Sequence, residues 1–345
     1  MKYLNYLLLL VPAVLVMEFL HAEEAYLFAG SLIAIVPLAA IIGRATEELA
    51  IHTGPRVGGL LNATLGNAAE LIITIFALKE GLISIVKASI AGSILGNILL
   101  VLGLAAFIGG LKYERLLFNC YVSNLNTSLL LMIIISLSVP AIFSITGHIS
   151  PDKLQTLSLW TAVALLLIYI ASMLFSFKTH KHLFHVEHEG QGSEWSLKKS
   201  IVILFLSVLA VVIMSEILVS TIKPATQALG LSEIFVGLIL IPIVGNAAEH
   251  SAAIMMAMKN KMNIALEIAV GSSVQIALFV APVLVFLGYA FGHPMNLLFN
   301  TLEIACIILA IVVVNNIVRD SETDYLEGLI LFITYVLISI GFYLI

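Results

Sequence analysis

Apolar segments of about 20 residues or more recur along this 345-residue chain. A helix needs ~20 mostly apolar residues to cross a bilayer, and eleven segments meet that requirement. They lie at about 3–21, 25–44, 57–79, 84–110, 122–146, 156–177, 200–222, 232–258, 263–290, 297–318 and 326–345. Only 11% of the residues are charged, against ~25% in soluble proteins. The sequence therefore predicts an all-α polytopic membrane protein, with eleven transmembrane helices in a lipid bilayer.

An identical pentapeptide, Gly-Asn-Ala-Ala-Glu, occurs at 66–70 and again at 245–249, which is 179 positions later. Two further pairs of residues match at this spacing. They are Val57-Gly58 with Val236-Gly237, and Gly92-Ser93 with Gly271-Ser272. Three matches at one spacing indicate an internal duplication, which constrains the whole fold.

The duplication and the number of apolar segments together predict the topology. We interpret 1–22 as an N-terminal transmembrane helix, 23–177 and 200–345 as two five-helix repeats, and 178–199 as the loop between them. Because five is an odd number, the second repeat enters the membrane in the opposite sense to the first. Inverted repeats are typical of secondary transporters, whose substrate site lies near the bilayer midplane between broken helices.

Lysine and arginine residues are divided unequally between the two sides of this predicted topology. Twelve of the 16 lie on the side of the N-terminus, and four lie on the opposite side. Positively charged residues are enriched in cytoplasmic loops. We therefore predict a cell-membrane protein with its N-terminus and its 178–199 loop in the cytoplasm and its C-terminus outside.

Each pentapeptide places a carboxylate, Glu70 or Glu249, near the middle of an apolar segment. A charged group at that depth costs ~2.5–3.5 kcal/mol on insertion scales and by default marks an ion or proton pathway. Glycines precede both acids and Pro242 precedes the second, so both helices are predicted to be interrupted there. Close packing of small residues between helices explains the glycines and alanines, but it does not explain the two acids. We predict that the two carboxylates face each other across a water-filled cavity.

The other polar side chains of these segments offer oxygen atoms. They are Asn67, Asn246, Ser93, Ser272, Asn97 and Gln275. Oxygen ligands suit a hard cation such as calcium, whereas zinc or copper would favour thiolate or imidazole groups. Burial and mutual repulsion disfavour two charged carboxylates in an empty site, while one divalent ion or two protons neutralise them. This difference predicts obligatory exchange of a divalent cation for protons, with Glu70 and Glu249 as the metal ligands.

The GNAAE pair is followed by GSILGN in the first half and by GSSVQI in the second. This pattern resembles the calcium/proton antiporters of the cation/calcium exchanger superfamily, and its bacterial members in particular. The resemblance covers essentially the whole chain, and it implies that Ca²⁺ leaves the cytoplasm in exchange for H⁺ at Glu70 and Glu249 by alternating access. It implies supporting roles for Asn67, Asn246, Ser93, Ser272 and Gln275. Gln275 aligns with Gly96 rather than with Asn97, so the first-half counterpart of Gln275 stays open.

Weaker signals come from single charged residues and from the loop. Glu216, Glu267 and His250 are candidates for the ion path, although Glu267 is also consistent with an interfacial acid and His250 with a hydrogen-bonded packing residue. Arg44, Glu47 and Glu48 are predicted to form a cytoplasmic ion-pair cluster. The loop contains four histidines whose composition is typical of metal binding, although a solvated linker is the alternative that we favour. These are His180, His182, His185 and His188.

Other functional classes have less support in the sequence. The zinc-protease pattern of two histidines four residues apart with a glutamate beside the first is absent, and no nucleophile–base set is recognisable, so we do not expect an enzyme. There is no basic stripe for nucleic acid, and we expect no cofactor apart from the transported Ca²⁺ and H⁺. The sequence leaves open an exchanger of Mn²⁺ or Na⁺, a cation channel, and assembly into homo-oligomers.

Overall fold

A computed structural model describes residues 6–147, 149–180 and 193–345. The first half of the chain is a succession of helices. They are α1 (Leu10–Phe19), α2 (Glu24–Leu65), α3 (Ala68–Lys79), α4 (Ile83–Leu95), α5 (Leu102–Gly110), α6 (Cys120–Ile145) and α7 (Pro151–Leu174). Within α2 the backbone leaves helical geometry at Gly54, where φ is 81° and ψ is 170°. Helical turns of the wider π type follow α4 at Gly96–Val101 and α7 at Phe175–Thr179.

The second half is also helical. Its helices are α8 (Leu197–Leu229), α9 (Glu233–Phe235), α10 (Ile241–Gly245), α11 (Ala247–Met258), α12 (Met262–Gln275), α13 (Ala281–Ala290), α14 (Thr301–Ile317) and α15 (Tyr325–Tyr343). Further π turns lie at Val236–Leu240 and Ile276–Val280, and a 3₁₀ turn lies at Val318–Asp320. Two short strands, β1 (Leu116–Leu117) and β2 (Glu322–Thr323), pair antiparallel with Leu116 opposite Thr323.

Eight helical stretches in the described residues are long and apolar enough to cross a membrane. They coincide with the second, fourth to seventh, and ninth to eleventh predicted segments. The eighth predicted segment is a further candidate, in which two helices meet at a bend of 59°. The first predicted segment contains α1, which has only 10 residues, and the third is divided between α2 and α3. The predicted class of helical multi-pass membrane protein is confirmed, whereas the number of eleven spans stays a prediction.

The chain forms two compact units, and each unit takes segments from both predicted repeats. The first comprises Met1–Ile85 and Val186–Glu249, and the second comprises Val86–His185 and His250–Ile345. In the first unit, α8 packs along α2 and also against α3. In the second unit, α15 packs against α5, α13 against α7, and α14 against α6. The predicted boundaries of the two repeats, at 23–177 and 200–345, stay a prediction.

The spacing of 179 residues recurs in the positions of the helices. Helices α3, α4 and α5 begin at residues 68, 83 and 102, and helices α11, α12 and α13 begin at 247, 262 and 281. The hydroxyl of Ser273 also donates a hydrogen bond to the backbone oxygen of Ile94 at 3.4 Å, and these two positions are equivalent at the same spacing. Two copies of a surface that are related by a two-fold axis contact each other through equivalent positions near that axis. The structure therefore extends the duplication from three short matches to a continuous region.

Helices α5 and α15 approach closely in the second unit because glycine occupies the crossing point on both. A Cβ atom at Gly103 would lie 2.7 Å from the backbone nitrogen of Phe332, and a Cβ atom at Gly328 would lie 2.8 Å from the backbone oxygen of Gly103. Small residues commonly permit such contacts between membrane helices. The crossing therefore depends on the absence of side chains at both positions.

Candidate cation site

The first acidic motif lies at a break between two helices. Helix α2 ends at Leu65 and α3 begins at Ala68, while Asn67 between them has a φ of −93° and a ψ of 22°. Glu70 is the third residue of α3, and its side chain is completely buried, with 0% exposed. The hydroxyl of Thr74 donates a hydrogen bond to the backbone oxygen of Glu70 at 2.9 Å. The predicted interruption before this acid is confirmed.

The second acidic motif has the same local structure. Helix α10 ends at Gly245, Asn246 has a φ of −104° and a ψ of 12°, and α11 begins at Ala247. Glu249 is the third residue of α11 and is half-buried. Each acid therefore occupies the first turn of a new helix, where backbone N–H groups lack helical partners and the helix dipole is positive. This position favours a negative charge on each acid. Each acid lies in a first turn because the helix is interrupted before it, as the glycines and Pro242 predict.

The two motifs meet in the first compact unit. A Cβ atom at Gly245 would lie 3.5 Å from the Cβ atom of Glu70, so the last residue of α10 packs directly against the first acid. Helix α10 also packs against α2, and a Cβ atom at Gly43 of α2 would lie 3.8 Å from the Cβ atom of Ala248. Because Ala248 directly precedes Glu249, α2 lies beside the second motif. The first contact places Glu70 beside α10.

The remaining predicted ligands lie in the second compact unit, near its π turns. Ser93, Asn97 and Ser272 are buried, and Gln275 is half-buried. Asn97 belongs to the turn at Gly96–Val101, while Gln275 directly precedes the turn at Ile276–Val280. Turns of this type often occur at functional sites. Helix α12 packs against the first of these turns, so two of the elements that carry these residues are in contact within this unit.

The other candidates occupy different environments. Glu216 is exposed on α8, whereas Glu267 on α12 and His250 on α11 are half-buried. In the described part of the chain, no three His, Cys, Asp or Glu side chains are grouped as ligands for a resident metal ion. His180 stacks on the ring of Phe175, with 3.9 Å between the ring centroids. The predicted histidine tract at His182, His185 and His188 lies outside the described residues.

Lys87 is a polar residue whose role the sequence does not reveal. Its ammonium group donates hydrogen bonds to the side-chain oxygen of Asn296 at 2.6 Å and to the backbone oxygen of Leu298 at 2.7 Å. The hydroxyl of Ser158 accepts a bond from the backbone nitrogen of Leu297, so the loop before α14 is held at several points. A lone lysine inside an apolar segment is the signal that could have identified this anchor.

We expect Lys87→Met to lower the thermal stability of the protein. The substitution removes two hydrogen bonds from a charged donor, each worth about 1.5–3 kcal/mol, and leaves the side-chain oxygen of Asn296 without this donor. Thermal unfolding in detergent measures the effect. The matched control is Lys153→Met, because Lys153 is exposed on α7, and equal loss of stability in both variants would contradict the anchoring role.

The fold and the duplicated acidic motif define a polytopic helical membrane protein with an acidic residue at each of two helix breaks. The family of sodium/calcium exchanger proteins matches residues 24–178 and 199–344 of this chain. The chain therefore belongs to that family, and the resemblance inferred from the motifs is confirmed.

Individual relatives match over nearly the whole chain. A Ca²⁺/H⁺ antiporter of Aphanothece halophytica is 43% identical and matches 98% of this chain and 95% of its own length. The Ca²⁺/H⁺ antiporter ChaA of Bacillus subtilis is 45% identical and matches 97% of this chain and 96% of its own length. The solved structure of native YfkE has a TM-score of 0.87 at 42% identity and covers 99% of this chain and 100% of that chain.

Proposed function

We propose that this protein is a secondary antiporter that exports Ca²⁺ from the cytoplasm in exchange for H⁺. The observation that carries the proposal is the contact between the two motifs, in which Gly245 of the second packs against the buried Glu70 of the first. The names of the two relatives with 43% and 45% identity support the choice of ions. In the proposed membrane orientation, the N-terminus is cytoplasmic and the C-terminus is outside.

The chemistry follows from the position of the two acids. Glu70 and Glu249 each begin a helix, so backbone dipoles compensate part of their charge. Full compensation requires a divalent cation or two protons, and we propose that the two compete for the same carboxylates. Asn67 and Asn246, both buried at the breaks, are suited to supply amide oxygens. In this proposal a supporting role at the cation site is assigned to four further residues, Ser93, Ser272, Asn97 and Gln275.

Exchange also requires that the site opens to one side of the membrane at a time. Broken helices suit such a mechanism, because half-helices can move without unfolding a complete membrane span. A site that is stable only when it is loaded does not change the side to which it opens while it is empty. Inward proton flux is therefore coupled to outward cation flux. This coupling distinguishes the proposed antiporter from a cation channel.

The test is Ca²⁺ uptake into proteoliposomes under an imposed pH gradient. We expect uptake when the vesicle interior is acidic, and we expect it to stop when an ionophore collapses the gradient. Competition by Mn²⁺ and Na⁺ then measures which cation is preferred. Uptake that is independent of the proton gradient would indicate a channel, and stronger transport of Mn²⁺ or Na⁺ would replace Ca²⁺ as the substrate.

A further inference from the structure

Three residues that precede α8 hold the chain against α2 in the first compact unit. Glu194 forms an ion pair with Arg44 at 2.6 Å. Two cations lie over the ring of Trp195, with the guanidinium carbon of Arg44 and the ammonium nitrogen of Lys199 each 4.8 Å from its centroid. Contacts between cations and an indole ring are attractive at this distance. We name residues 193–195 the clamp segment.

The backbone of the clamp segment is bound to a buried acid of α2. Glu48, only 7% exposed, accepts hydrogen bonds from the hydroxyl of Ser193 at 2.8 Å and from the backbone nitrogen of Trp195 at 3.1 Å. His52 Nε2 lies 2.7 Å from the backbone oxygen of Trp195. Because a carbonyl oxygen only accepts, this ring nitrogen carries a proton and donates it. The acid thus bonds to the linker between the two halves rather than only to its neighbours on α2.

The part of α2 that the clamp segment holds also touches the second acidic motif. Arg44 directly follows Gly43, which packs against Ala248, and Ala248 directly precedes Glu249. On the other side, the helix leaves regular geometry at Gly54, two residues after His52. The stretch 44–52 of α2 is therefore bound to the clamp segment through Arg44, Glu48 and His52, and its N-terminal end lies beside the second acidic motif.

We propose that the clamp segment is a positioning device for cation binding, in which Trp195, Glu194 and Ser193 fix the 44–52 stretch of α2 and thereby set the packing of Gly43 against Ala248 beside Glu249. This inference rests on the proposed function. Coupling between two sites is reciprocal. If the clamp segment alters cation binding at the second acidic motif, a cation bound there alters the surroundings of Trp195.

Tryptophan fluorescence tests this coupling, because the chain has only two tryptophans, Trp160 and Trp195. Trp160 is 69% exposed on α7, and Trp160→Phe leaves Trp195 as the only indole in the full-length protein. We expect Ca²⁺ to shift the emission of Trp195 and to saturate at the concentration that saturates transport. The shift should be absent in Trp160→Phe combined with Glu249→Gln, and Trp195→Phe, which keeps Trp160, should show no response.

Two results separate the failure of this inference from the failure of the proposed function. Transport of Ca²⁺ with an unchanged Trp195 emission, or a shift that persists in the Glu249→Gln variant, overturns the clamp and leaves the antiporter intact. Absence of proton-coupled Ca²⁺ transport in wild-type vesicles overturns the proposed function instead.

A pair of substitutions at Glu48 provides a second readout. Glutamine keeps an oxygen that accepts from Ser193 and Trp195, whereas leucine has a similar size and no acceptor. We expect Glu48→Leu to raise the Ca²⁺ concentration for half-maximal transport by about fivefold or more, the lower range of couplings between sites, and Glu48→Gln to stay within about twofold on the same scale. Equal effects of both variants, whether large or absent, would show that the bonds from Glu48 to the clamp segment do not set cation binding.

Discussion

Proton-coupled Ca²⁺ uptake should fall by about a thousandfold when Glu70 is replaced by glutamine. Glutamine keeps the size of the side chain and one oxygen, but it cannot carry the charge that a divalent ion must balance. A unit charge 4 Å from another contributes ~4 kcal/mol at an effective dielectric constant of 20, and this free energy corresponds to about three orders of magnitude in affinity. Because Glu70 is completely buried, bulk water does not screen the loss.

The matched control for this prediction is Glu80→Gln. Glu80 follows the last residue of the same helix, α3, and its side chain is exposed. The control should transport at nearly the wild-type rate. Proteoliposomes that contain equal amounts of monodisperse protein allow the comparison, and substantial Ca²⁺/H⁺ exchange by Glu70→Gln would refute the two-carboxylate scheme even though family membership would stand.

Substitution of Gly328 by alanine should strongly destabilise the second compact unit. The added Cβ would lie 2.7 Å from the carbonyl carbon of Ala106 and 2.8 Å from the backbone oxygen of Gly103. These are backbone atoms of α5, which cannot move aside as a flexible side chain can. Overpacking of this kind typically costs 1–3 kcal/mol or more, so the midpoint of thermal unfolding should fall by several degrees.

Gly341 offers a control within the same helix, since a Cβ atom there would meet nothing within 4 Å. Gly341→Ala should be neutral or slightly stabilising, because alanine is favoured over glycine in a helix by about 1 kcal/mol. Thermal unfolding in one detergent measures both variants. A Gly328→Ala protein that is as stable as Gly341→Ala would show that the close crossing of α5 and α15 is not required.

The sequence predicts the helical class and the breaks at the two motifs because both depend on local patterns. Long apolar segments require helices in a membrane, and the repeated pentapeptide identifies two equivalent positions without any three-dimensional information. The glycines at 66 and 245 correctly locate the interruptions. The family resemblance depends on the same residues and needs no knowledge of the fold.

Contacts between distant segments could not be predicted in this way. Nothing in the local pattern indicates that Gly245 packs against Glu70, or that Arg44 pairs with Glu194 in the linker rather than with Glu47 or Glu48. The second predicted segment ends at residue 44, whereas α2 continues to Leu65, and its polar side chains Arg44 and Glu48 bond to the clamp segment. The apolar pattern of 84–110 likewise does not indicate that Lys87 bonds to the side-chain oxygen of Asn296 and the backbone oxygen of Leu298, more than 200 residues away.

The anchor at Lys87 has a consequence for the energetics of the proposed cycle. A transporter made of two identical, oppositely inserted copies would hold its inward-open and outward-open forms at equal free energy. Here the position 179 residues after Lys87 is Leu266, which cannot donate a hydrogen bond, and the counterpart of Glu267 is Ala88. Residues present in one copy only can therefore favour either the inward-open or the outward-open form at rest. Exchanging these residues between the copies should reverse which form is favoured.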